Sequence, residues 1–90
     1  MPRFVIERDI PGAGAMSKED LQGASANSCS VINKMNGGVE WVHSYVTDDR
    51  IYCVYDAKDE AAIHEHAEKS GFPASRVSEV RNMIDPSWGG

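Results

Sequence analysis

Val39-Glu-Trp-Val-His-Ser-Tyr-Val46, Thr47-Asp-Asp-Arg50 and Ile51-Tyr-Cys-Val-Tyr55 read together as a β-hairpin. Two runs rich in β-branched and aromatic residues flank a short polar break. Asp48 and Asp49 suit the centre of a tight turn, because Asp tolerates the left-handed backbone such turns demand. A two-residue loop predicts that Val46 faces Ile51, Tyr45 faces Tyr52, Ser44 faces Cys53 and His43 faces Val54. Strict alternation then sorts the side chains. One face carries Val42, Ser44, Val46, Ile51, Cys53 and Tyr55. The other carries Trp41, His43, Tyr45, Tyr52 and Val54. Neither face is polar, so both need cover. A chain of 90 residues has too few helices to cover both. The expectation is helices on one face and a second copy of the protein on the other.

Outward from the hairpin, the chain supplies those helices. Arg3 to Asp9 alternates, with Phe4 and Ile6 on one side and Val5 and Glu7 on the other, and reads as a strand. Pro11, Gly12 and Gly14 set a loop. Ser17 is placed as an N-cap, with Asp20 in the capping-box position and Glu19 and Asp20 at the positive end of a helix dipole. A helix follows over Lys18 to Met35, its stripe formed by Leu21, Ala24, Ser28, Val31 and Met35. Asn36, Gly37 and Gly38 end it. Asp59 caps a second helix over Glu60 to Ser70, with Ala62, Ile63, His66 and Ala67 on its apolar stripe. Gly71 and Pro73 stop it. Ser75 to Ile84 reads as a last strand with imperfect alternation, which allows a bulge or a break. The order is β-α-β-β-α-β, an α+β ferredoxin-like arrangement. It predicts one domain over residues 1–90, with 85–90 as a tail. The antiparallel sheet holds two helices on one face and dimerises through the other. Small Ser44 and Cys53 admit a helix, so their face goes under the helices. The face with Trp41, His43, Tyr45 and Tyr52 stays open as a dimer seam.

Composition narrows the function. Hydrophobic residues make up 41% and charged residues 26%, as in ordinary globular proteins, and the net charge is −5. The Lys and Arg residues are scattered, so nucleic acid and anionic membrane are poor partners. No apolar run approaches transmembrane length, and charges at the start argue against a signal peptide. Cys29 and Cys53 lie in apolar segments, which predicts buried reduced thiols and a cytoplasmic location. The Gly12-Ala13-Gly14 loop lacks the remaining phosphate-loop residues. Glu19 and Asp20 would repel a phosphate there, so a nucleotide site is rejected.

Arg3-Phe4-Val5-Ile6-Glu7-Arg8-Asp9, Trp41 to Val46, Ile51 to Tyr55, His66-Ala67, and Gly71-Phe72-Pro73-Ala74 with Arg76-Val77 carry a resemblance. They resemble a family of small bacterial ferredoxin-like proteins named after a nickel-responsive, nickel-binding member from actinobacteria. The resemblance runs from Pro2 to about Pro86. It implies a ferredoxin-like homodimer with nickel, or another divalent transition metal, held at the dimer surface for sequestration. It hands over no ligand residue by residue.

The residues themselves offer metal donors in His43, His64, His66, Glu60 and Glu68. Neutral imidazole is a good ligand for nickel, zinc and copper. His64 and His66 sit two apart on a helix and point in different directions, so they do not chelate one ion. His64 with Glu60 or Glu68 is the better pair. The cysteines are not spaced for structural zinc. An alternative is a cofactor-free enzyme, of isomerase or monooxygenase type, on the dimeric scaffold. Glu7 would be a base in an apolar wall, His43 a proton relay, Tyr45 an oxyanion donor, and His66 a group at a pocket between helix and sheet. Phe72 and Tyr55 would line that pocket, leaving room for a small-molecule ligand there. A third reading is an interaction module whose aromatic face only dimerises.

Overall fold

The computed structural model describes all 90 residues. Four strands, β1 (Arg3–Asp9), β2 (Val39–Val46), β3 (Arg50–Ala57) and β4 (Arg76–Glu79), form one antiparallel sheet in the order β2-β3-β1-β4. Helices α1 (Lys18–Lys34) and α2 (Glu60–Ser70) cover one face. This α+β layout is compatible with a ferredoxin-like fold, and β1 and β3 are its central strands.

Local chemistry places each element. Ser17 Oγ accepts from the Asp20 amide at 3.1 Å, and Asp20 Oδ2 accepts from the Ser17 amide at 3.4 Å. That reciprocal pair closes the first turn of α1. Asp59 Oδ1 accepts from the Ala62 amide at 2.9 Å to start α2. Gly71, at φ 80°, ends it in the left-handed conformation that glycine adopts without a Cβ penalty. A 3-10 turn over Ala13–Ala15 fills the loop before α1. There the Gly14 amide donates to the Asp48 carbonyl at 3.0 Å, tying that loop to the hairpin tip. A Cβ on Gly14 would come within 2.9 Å of the Asp48 Cα, so the approach depends on glycine.

The hairpin pairs Val46 with Ile51, Tyr45 with Tyr52, Ser44 with Cys53 and His43 with Val54, as the turn predicts. Beyond His43 the register shifts, and Trp41 rather than Val42 faces Tyr55. Val42 is the extra residue of a β-bulge. The shift corrects the expected faces. Trp41 does not join His43 and Tyr45. Its ring stacks against Tyr55 on the helix side, 6.5 Å between centroids, and its Nε1 donates to Ser44 Oγ at 2.9 Å. Val42, expected under the helices, is exposed.

The last strand is also shorter than Ser75 to Ile84. Only Arg76–Glu79 pairs along β1. The Val80 amide still donates to the Arg3 carbonyl at 2.8 Å, after which the chain leaves the ladder and Ile84 stands exposed. Val77 packs against the core.

The core lies between sheet and helices. Phe4, Ile6, Val39, Cys53, Tyr55 and Ala57 from the sheet meet Ala62 and Ile63 of α2. Full burial of a side chain such as Phe4 or Ile6 contributes about 1.5–3 kcal/mol. Cys53 is buried, but Cys29 is exposed, contrary to expectation: it lies on the outer side of α1 next to buried Ser28. Both thiols are free.

Candidate functional site

Three histidines end up in three environments. His66, on the inner stripe of α2, is 1% exposed. Its Nε2 lies 3.1 Å from Ser28 Oγ of α1, and Ser28 Oγ lies 3.4 Å from the Tyr55 hydroxyl. Burial, with a smaller push from the Arg8 charge, holds the His66 imidazole below its ordinary pKa, so it stays neutral near pH 7. Burial likewise pushes the Tyr55 phenol up. His66 therefore belongs to an interior hydrogen-bonded group that ties both helices to the sheet.

His64 lies on the wet side of the same helix. Its Nε2 is 3.1 Å from Glu60 Oε2 one turn earlier, and both side chains are more than half exposed. It is the only imidazole in the protein in contact with a carboxylate. Glu68 continues the exposed side of α2, and Glu65 is held by Lys69 at 3.0 Å. His43 lies on the open face of the sheet, its ring edge-on to Tyr45 with centroids 5.0 Å apart.

The five metal candidates are thus not assembled. No group of three or more His, Cys, Asp or Glu side chains in the chain stands close enough together to hold a metal ion. Glu60 and His64 come together; His66 faces inward, and His43 is on the other side of the sheet.

The four residues of the enzyme alternative also divide. Glu7, His43 and Tyr45 share the open face, while His66 lies beneath the helices. Glu7 does not sit in an apolar wall. Its carboxylate accepts from Arg50 Nη1 at 3.4 Å and lies 3.9 Å from Arg76 Nε. It is engaged by two guanidiniums rather than set in the apolar surroundings the enzyme reading needs.

A cavity of about 310 Å³ lies between α1 and the sheet. Tyr55 and Phe72 line it, as expected, with Leu21, Trp41, Ile51 and Ser28, but His66, expected at this pocket, does not: it is turned into the interior against Ser28. The cavity wall also holds Arg8, which was not among the expected site residues. Arg8 is 2% exposed, its guanidinium carbon 5.9 Å from the Tyr55 ring centroid and 5.7 Å from that of Phe72. Nε donates to Cys53 Sγ at 3.3 Å and Nη1 to the Pro73 carbonyl at 2.9 Å, while Nη2 has no partner. The signal was in the alternation itself. Period two puts Arg8 on the same side as Phe4 and Ile6.

An antiparallel sheet with both helices on one face, an interior His-Ser-Tyr group and an exposed His-carboxylate pair define a small α+β domain of ferredoxin-like layout. Residues 4–80 match the family model described as nickel responsive protein, SCO4226-like, and the chain belongs to that family. Its fold is similar to that in the crystal structure of SCO4226 from Streptomyces coelicolor A3(2), with a TM-score of 0.77 at 18% sequence identity. That similarity covers 91% of this chain and 99% of the other. No protein of curated function matches the sequence.

Proposed function

We propose that the protein is a homodimeric nickel-binding protein that takes up the metal at a shallow site on the outer side of α2. His64 Nε2 and a Glu60 carboxylate oxygen are the donors, and Glu68 stands one turn further along the helix. The observation that carries this reading is the His64–Glu60 contact at 3.1 Å on an exposed helix surface. Family membership supplies the metal, since the family is described by its response to nickel. Imidazole is a ligand that nickel accepts, as zinc, copper and iron do.

One protomer supplies too few donors to enclose an ion. Water or a second molecule completes the coordination. Binding is therefore modest in affinity, reversible, and sensitive to acid as protons compete for the imidazole. Such a site serves buffering or sequestration rather than catalysis. The free thiols accord with a reducing, cytoplasmic setting. No helix is long and apolar enough to cross a membrane.

Paramagnetic nickel provides the test. Added to isotope-labelled protein, it should broaden the amide signals of α2 around Glu60 to Glu68 first. Broadening centred on His43 and Tyr45 instead would move the site to the open sheet face and refute the assignment to α2.

A further inference from the structure

We infer that the cavity between α1 and the sheet binds a small aromatic monocarboxylate, its carboxylate paired with Arg8 and its ring packed among Trp41, Phe72 and Leu21. This site is independent of the nickel reading and lies on the opposite side of the helix layer.

Arg8 brings an unpaired charge into the interior. Arginine keeps its positive charge in proteins. A buried cation is expected to have an anionic partner or a full set of hydrogen bonds. Arg8 has neither. It takes part in none of the ion pairs of the molecule. Its two hydrogen bonds go to neutral acceptors, the Cys53 sulfur and the Pro73 carbonyl. Nη2, with two N–H donors, has no acceptor. It is the only buried side-chain nitrogen or oxygen in the protein without a partner. The core tolerates this through the Tyr55 and Phe72 rings, whose faces attract the cation. Those rings hold the guanidinium in place without neutralising it.

The cavity beside it has the composition of a ligand site. Its volume of about 310 Å³ lies at the lower end of the range for small-molecule pockets, roughly 300–1,000 Å³. At ~30 Å³ per water, that is the space of about ten waters, enough for one small aromatic acid. Most of the lining is apolar, and beside Arg8 and Tyr55 its polar residues are the small Ser25, Ser28 and Ser44. A single buried cation in an apolar and aromatic pocket selects a single negative charge on an apolar body. The indole of Trp41 and the ring of Phe72 favour a flat, aromatic one. A carboxylate would accept from Nη2 and form the charge-assisted bond that no protein group provides.

Nη2 is closed off from solvent, and the Phe72 ring packs beside the guanidinium, 5.7 Å from its carbon. That ring comes from the segment between α2 and β4, which carries no helix or strand, and it is only half-buried. Under the proposal the Phe72 ring gives way as the carboxylate pairs with Nη2.

The full-length protein tests this. Benzoate, phenylacetate and hexanoate are titrated at millimolar concentration beside phenylacetamide, with tryptophan fluorescence and amide NMR shifts as readouts. Phenylacetate should saturate, shift amides of β1, β3 and α1, and raise the melting temperature. Phenylacetamide should bind at least roughly tenfold more weakly, since it lacks the charge. Hexanoate should bind more weakly than the aromatic acids. Arg8→Met should lose the preference for acid over amide while nickel uptake stays unchanged. The acid–amide contrast on the unaltered protein decides the matter even if that variant does not fold. Equal binding of acid and amide, shifts reproduced by inorganic phosphate, or no response to any acid would each overturn the proposal.

Discussion

His66 shows how much one side chain's surroundings decide. By sequence it stands beside His64 in a His-Glu-His string that suggests metal. In the fold it faces Ser28 at 3.1 Å and is closed off from solvent, whereas its neighbour two residues away pairs with Glu60 in water. A lowered pKa in the folded state carries a stability consequence. Between that lowered value and the ordinary 6.5, the unfolded chain binds a proton that the folded chain does not. Stability therefore rises with pH through that window. His66 costs nothing above it, and the fold weakens as the pH falls below about 6.5. Denaturant unfolding at about pH 7.5 and about pH 5.5 should show this loss, and His66→Gln should flatten it while keeping a hydrogen-bonding group toward Ser28. An unchanged pH slope in that variant would assign the acid sensitivity elsewhere. Arg8 is the complementary case. Alternation marked it for the core side, but a charged residue in a strand reads as surface unless the pattern is followed to its last member.

At the scale of elements, most boundaries were legible because capping chemistry is local. Ser17, Asp59 and Gly71 each do in the structure what their residue types favour. Asp59→Ala should remove the cap of α2 and cost about 1 kcal/mol, read as a shift in the denaturation midpoint. Ala61→Ser, at an exposed position of the same helix, is the control and should change stability by about 0.5 kcal/mol at most. The hairpin register was legible for the same reason, since Asp48 and Asp49 fix the turn. The bulge was not. Val42 is as good a strand residue as its neighbours, and nothing in its type announces that it is skipped. That one residue transfers Trp41 from the open face to the cavity wall. A shift of one position thus alters the open face of the sheet and supplies much of the aromatic lining of the cavity. The short β4 was illegible too: Val80 and Ile84 have strand-like side chains, yet only four residues pair with β1.

For the whole molecule, the sheet retains one face that no helix covers. His43, Tyr45, Tyr52 and Val54 lie on it with Val5, and Tyr45 is 60% exposed. Salt bridges from Arg3 to Asp56 and from Arg50 to Asp9 and Glu7 rim this face. An apolar aromatic centre inside a charged rim is the anatomy of an association surface. Even without Trp41, this is the face the proposed homodimer would use. Sedimentation velocity should give a dimer mass for the native chain and a monomer mass for Tyr45→Glu, because a carboxylate at the seam would be desolvated without a partner. A native chain that sediments as a monomer at micromolar concentration would leave the open face without this role. The site was the least legible part. Residue types name the donors but not their meeting, and the fold joins only two of the five.

The most direct measurement is a calorimetric nickel titration of the native protein, His64→Ala and His43→Ala, each at neutral pH. The native protein and His43→Ala should saturate at the same fixed stoichiometry, and His64→Ala should bind at least roughly tenfold more weakly. Undiminished binding by His64→Ala would contradict the assignment, because no other imidazole on the helix surface is placed to hold the metal.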